Sequence, residues 1–179
     1  LYVANWDGKW QPNELGSIWV VDDPAIRKSE QRKHVAKLLR SDFGNHTNSF
    51  LVYLLAHADQ RIRLEAQFEL ARRDRFDEFL GLATNPNGDR RARVHAMWGL
   101  GQLDADQQRD KRLAKRLPFA DNDAEIRAQA AKLAGTRVLT SAAPRLMDLL
   151  HDKSARVRFH AAMALGPVSY THLRAHETL

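Results

Sequence analysis

Four stretches of this chain repeat one another: DQRIRLEAQFELA from Asp59, DRRARVHAMWGLG from Asp89, DAEIRAQAAKLAG from Asp123 and SARVRFHAAMALG from Ser154, at steps of 30, 34 and 31 residues. Repetition on this scale limits what the chain can fold into. A unit of about thirty residues is too small to bury its own apolar face, so it must stack on its copies and share a core with them.

The columns of the repeat say what each unit is. Asp59, Asp89, Asp123 and Ser154 are residue types whose side chains cap the first turn of a helix. Ile62, Ala92, Ile126 and Val157 stand four residues before Ala66, Ala96, Ala130 and Ala161, and Leu70, Leu100, Ala134 and Leu165 follow four later. That spacing puts all three columns on one helical face. Gly101, Gly135 and Gly166 are expected at the helix C-termini, where a positive φ is often needed. Between these helices lie SFLVYLLAH, RFDEFLGLA, QQRDKRLAKRLPF and SAAPRLMDLLHD, each read as the first helix of a pair. The fold class expected is all-α: an α-solenoid of about four helix pairs over residues 49–167.

Two polar columns accompany the apolar ones. Arg63, Arg93, Arg127 and Arg158 recur at one position. We read them with Asp59, Asp89 and Asp123 as a structural ladder, each arginine pairing with the cap aspartate of an adjacent repeat; a row of cations facing a ligand is the competing reading. Glu65, His95, Gln129 and His160 share a second column, one residue before the core alanines. Solvated side chains are the favoured reading there, with contact to a partner as the functional alternative. Trp98 is expected to pack into the core.

The first forty-eight residues differ in kind. LYVANW and SIWVV are rich in β-branched and aromatic residues and flank a segment containing Gly, Pro and Asn. Residues 1–24 are read as a β-hairpin, and 25–48 as a linker helix whose apolar positions are Val35, Leu38 and Leu39. A lone hairpin is marginal in water, so it calls for a larger sheet or a surface to cap.

The repeat pattern resembles HEAT repeats of the short bacterial kind, also seen in phycobilin-lyase-like proteins. With LYVANW, GSIWVVDDP and HADQRIRLEAQFELARR in that order, the chain also resembles planctomycete-type membrane-bound dehydrogenase-like proteins. In that family a glucose/sorbosone-dehydrogenase-like β-propeller precedes HEAT repeats, and a haem-binding domain with a CxxCH motif follows. The resemblance implies that residues 1–24 are the propeller's last strands and that the repeats are a non-catalytic interaction and spacer segment. It also implies a periplasmic or extracytoplasmic address. It carries over no catalytic residue, cofactor or metal ligand to this stretch; haem would belong to the longer protein. A free-standing HEAT scaffold that binds proteins is the alternative. VSYTHLRAHET, residues 168–178, resembles the in-frame translation of a transposase-based sequencing adapter, so 168–179 is expected to be an adapter-derived tail on a metagenomic fragment, and the helical rhythm is expected to stop at Gly166.

Composition narrows the chemistry. Cysteine is absent, which excludes disulfides, thiol nucleophiles and cysteine-ligated metal from these residues. The formal net charge of +6 favours an acidic partner, but basic and acidic residues alternate, as in RIRLEAQFELARRDRFDEF, so nucleic acid is disfavoured as a partner. The partner expected is a protein or the neighbouring domains of the same chain. No Ser-His-Asp order, phosphate loop or dinucleotide fingerprint is present, and no catalytic residue is assigned.

Overall fold

The computed structural model describes residues 2–5, 17–26 and 28–176, with side chains given no further than Val168. It divides into two compact units, residues 1–41 and 42–179. In the first, β1 (Tyr2–Asn5) pairs antiparallel with β2 (Ser17–Val20), in the register Tyr2 to Val20 and Asn5 to Ser17. The hairpin expected over 1–24 is thus present, while Leu1 and the segment 6–16, including Trp6 and Trp10, lie outside the described residues. Ile18, Trp19 and Val20 are all exposed, although their side chains alternate between the two faces. The helix α1 (Glu30–Arg40) begins at Ser29, whose hydroxyl accepts from the Arg32 N–H, and it buries Val35.

α1 ends at Arg40 with Ser41 as its C-cap, so the helix is shorter than the expected 25–48, and residues 42–48 belong to the second unit. The reason is Arg73. Its guanidinium donates to the carbonyls of Phe43, Gly44 and His46 and to Asn48 Oδ1, binding a 3₁₀ turn (Phe43–Asn45) into the first repeat.

The second unit is an α-solenoid. Its helices are α2 (Asn48–Leu54), α3 (Gln60–Arg72), α4 (Phe76–Ala83), α5 (Arg90–Gln102), α6 (Gln107–Arg116), α7 (Ala124–Thr136), α8 (Ala143–Leu149) and α9 (Ala155–His176). The second helices of the pairs form a continuous stack, α3 on α5, α5 on α7 and α7 on α9. Asp59, Asp89 and Asp123 cap α3, α5 and α7, each carboxylate accepting from an N–H of the first turn. The three apolar columns are buried as the spacing requires, except that Leu165 is half-buried. From the first helices, Leu51, Leu54, Phe79, Leu80, Leu113 and Leu146 close the core from the other side. A fully buried side chain of this size is stabilised by about 1.5–3 kcal/mol.

Two expectations need correction. Gly101, Gly135 and Gly166 do not cap helix C-termini; they lie inside α5, α7 and α9. The left-handed positions are Asp74 (φ 56) and Val138 (φ 51), which occupy the same repeat column. At both, the next residue's N–H reaches back to a carbonyl five residues earlier, Arg75 to Leu70 and Leu139 to Ala134, closing the helix ends. Gly135 is small for packing instead. A Cβ there would lie 2.7 Å from Ala164 Cα and 2.8 Å from its Cβ.

Nor does the helical rhythm stop at Gly166. α9 runs on through Pro167 to His176, because its buried row Val157, Ala161, Ala164 continues at helical spacing to Val168. Glu177, Thr178 and Leu179 lie outside the described residues.

Candidate functional site

The stacked helices α3, α5, α7 and α9 carry both polar columns read from the sequence. The arginines do not pair with the cap aspartates. Each reaches backward, forward or both, along the stack. Backward, Arg63 donates to the carbonyls of His57 and Ala58, Arg127 to those of Asp121 and Asn122, and Arg158 to those of Asp152 and Lys153. Forward, Arg93 binds the Asp121 carboxylate and Arg127 binds Asp152 through two nitrogens at 2.7 and 2.9 Å. Asp121 and Asp152 stand two residues before the N-cap of the next repeat. The cap carboxylates themselves are committed to helix N–H groups, with Asp59 also bound by Arg61 and Asp123 by Arg90. That commitment explains why the forward partners are a different pair of aspartates.

These pairs are internal. Arg93 and Asp121 have side chains 4% and 10% exposed, and Arg127 and Asp152 are 8% and 9% exposed. The Arg127 hydrogen bonds hold Asp152 below the usual carboxylate range, against its burial. Burial pushes Asp121 up, but the Arg93 guanidinium, the Asp123 N–H and the Arg127 charge together bring the net direction down. A second arginine column, Arg73 and Arg137, was not singled out in the sequence. Arg137 donates to the carbonyls of Leu103 and Asp104 and to Asp110, just as Arg73 holds the turn at 43–45. The signal for it in the sequence is recurrence: Arg73 stands ten residues after Arg63, and Arg137 ten residues after Arg127.

The column Glu65, His95, Gln129, His160 is mixed. Glu65 is exposed and His160 half-buried, whereas His95 and Gln129 are 3% and 5% exposed, so the solvated reading fails for these two. His95 Nε2 accepts from Arg63 Nε at 2.9 Å, which leaves Nδ1 to donate to Gln67 Oε1 at 2.7 Å. Gln67 then donates to Gln102. Burial, followed by the nearby Arg63 charge, lowers the His95 imidazole from 6.5 to about 4. Trp98 is not in the core. It is 37% exposed, and its indole N–H donates to Gln129 Oε1 at 3.0 Å. Gln129 in turn donates to Glu125, which receives two bonds from Arg156.

One face of the stack remains open. Arg91, His95 and Trp98 on α5 share a side at helical spacing, and so do Glu125, Gln129 and Lys132 on α7. Phe68 on α3 and Met163 on α9 occupy the Trp98 column and are 48% and 63% exposed. Between α5 and α7 a groove of about 210 Å³ is lined by Met97, Trp98, Gly101, Leu133 and polar neighbours. On the loop edge a wider cleft of about 690 Å³ is lined by Leu117, Phe119, Arg145 and Asp148, among others. Among the described residues no cluster of His, Asp and Glu is placed to hold a metal ion, and no helix is long and apolar enough to cross a membrane.

A search of the curated proteins finds no match to this chain. A family model for HEAT repeats matches residues 111–176, from α6 to the end of α9, so the second half of the solenoid is similar to HEAT repeats.

Proposed function

We propose that residues 42–167 form a non-catalytic protein-interaction scaffold, acting as a spacer segment within a larger, haem-containing, dehydrogenase-like oxidoreductase. The observation that carries the scaffold reading is the open face of the stack. There Phe68, Trp98 and Met163 stand exposed in one repeat column, while the recurring arginines Arg93 and Arg127 are used up in holding the repeats together. Large apolar side chains held in register on a rigid stack suit protein contact. The spacer reading draws support from the hairpin, whose apolar side chains are exposed on both faces, as strands belonging to a larger sheet would be. On this reading the tail from Val168 comes from adapter sequence, and the address is extracytoplasmic.

Nucleic acid fits less well. Three arginines on and beside α6 already have carboxylate partners: Arg109 with Asp74, Arg112 with Asp77 and Arg137 with Asp110. Phosphate binding needs cations free to displace counterions.

Sequencing the source DNA on both sides tests the spacer reading. Propeller strands upstream and a CxxCH motif downstream are expected. A start codon just before Leu1 and a stop soon after Gly166 would overturn it and leave a free-standing scaffold. For nucleic acid, no salt-sensitive binding to random duplex DNA is expected.

A further inference from the structure

Resting on the scaffold reading, we propose that the groove between α5 and α7 receives one apolar side chain from an extended, acidic segment of a partner protein. The groove's size sets the first constraint. At about 210 Å³ it is smaller than the roughly 300–1,000 Å³ of small-molecule sites, and it suits a single large side chain. Its floor and walls are Met97, Trp98, Gly101 and Leu133. Trp98 is held at two points, by Gln129 at its N–H and by the His95 ring at 4.8 Å between centroids. An aromatic wall already fixed in place loses little freedom on binding.

Charge sets the second constraint. The arginines around this face mostly have carboxylate partners: Arg61 with Asp59, Arg72 with Glu69, Arg90 with Asp123 and Arg156 with Glu125. Arg91, on the Trp98 side of α5, and Lys132, which lines the groove, have no ion pair among the described residues. Their field reaches their neighbours. After burial, Arg156 and Lys132 hold His160 below its ordinary value, and Arg91 acts likewise on Arg63. Carboxylates flanking the anchor would meet both free cations. Two cations beside an apolar slot are too few for a phosphate backbone and well matched to a short acidic stretch.

Fluorescence anisotropy on the whole chain tests this with three labelled peptides of about twelve residues. One is Glu/Ser with a central Phe, the second replaces that Phe by Ser, and the third replaces Glu by Lys. The first is expected to bind, and the other two at least about tenfold more weakly. Gly101→Leu fills the groove from within; a Cβ there meets Leu133 Cδ1 at an ordinary 3.5 Å, so the helix accommodates it. That variant and the surface change Lys132→Glu should each weaken the first peptide about tenfold or more while the helical circular dichroism is unchanged. If Gly101→Leu loses its fold, Lys132→Glu decides alone. Equal binding of the Lys peptide, or displacement of the first peptide by duplex DNA, overturns the proposal. If both Phe peptides bind alike and Gly101→Leu abolishes both, the acidic partner falls but the scaffold face stands. If none of the peptides binds, the face loses its docking role as well.

Discussion

The α3–α5 seam and the α7–α9 seam come from one repeat template and are held by different chemistry. Between α3 and α5 the contact is polar: Arg63, His95, Gln67 and Gln102 form a hydrogen-bonded chain across the stack. Between α7 and α9 the equivalent positions are small, Ala131 for Gln67 and Gly135 for Ala71, and Gly135 lies directly against Ala164. The forward partner of the arginine column changes with the seam. Arg63 meets a neutral imidazole, whereas Arg127 meets the Asp152 carboxylate. The α5–α7 seam lies between these extremes, neither bridged throughout by side chains nor closed by glycine, and that leaves the Trp98 groove. A solenoid can therefore keep its core columns constant and vary what its seams offer to a partner.

The sharpest way to break the comparison is to remove the arginine on each side. Arg127→Ala leaves the Asp152 carboxylate buried without its partner and should cost about 3–5 kcal/mol in urea unfolding. Arg63→Ala leaves only neutral groups behind and should cost about 1–2 kcal/mol. Equal losses would mean that the two seams do not differ in the way described. Next in size, Gly135→Val places a branched side chain against the Ala164 backbone and should destabilise by about 2–3 kcal/mol. The same change at Ala71, which is half-buried, should cost about 0.5 kcal/mol or less.

The polar seam also predicts a pH dependence of its own. Folded His95 stays neutral down to about 4, while the unfolded chain takes up that proton near 6.5. The seam's contribution is therefore complete above pH 6.5 and is lost as pH falls towards 4, by about 1–2 kcal/mol between pH 7 and 5. The lowered carboxylates Asp121 and Asp152 contribute above their unfolded range and lose that contribution at more acidic pH. His95→Gln should flatten the slope between pH 7 and 5; an unchanged slope assigns it elsewhere. The smallest effect concerns how α3 and α7 end. Asp74 tolerates a positive φ, but Val138 is β-branched, so Val138→Gly should stabilise by about 1 kcal/mol, and Asp74→Gly should change little, in thermal melts.

Much of the solenoid was legible from the repeat because its core depends on spacing alone. Ile62, Ala66 and Leu70, and their counterparts, fall on one side of any helix, and Asp59, Asp89 and Asp123 cap by local geometry. The glycines misled because glycine serves two ends. A sequence cannot distinguish a positive φ from a close approach when the approaching atom, here on Ala164, comes from another repeat. The arginine column was visible, yet its forward partners were assigned to the nearest recurring acids. The caps were already occupied by helix N–H groups, and Asp121 and Asp152 recur in only two of the four units. His95 and Gln129 read as surface residues because their burial depends on what faces them across a seam: Gln67 in one case and Trp98 in the other.

The sequence by itself determined that this chain stacks helix pairs about a shared apolar core, because periodicity acts within each helix and repeats with the unit. Only the tertiary structure decided which polar groups the stack consumes and which it leaves facing outward. Those pairings join residues about 25–35 positions apart, and their outcome depends on the width of each seam, which the small residues at positions such as Gly135 set one repeat at a time.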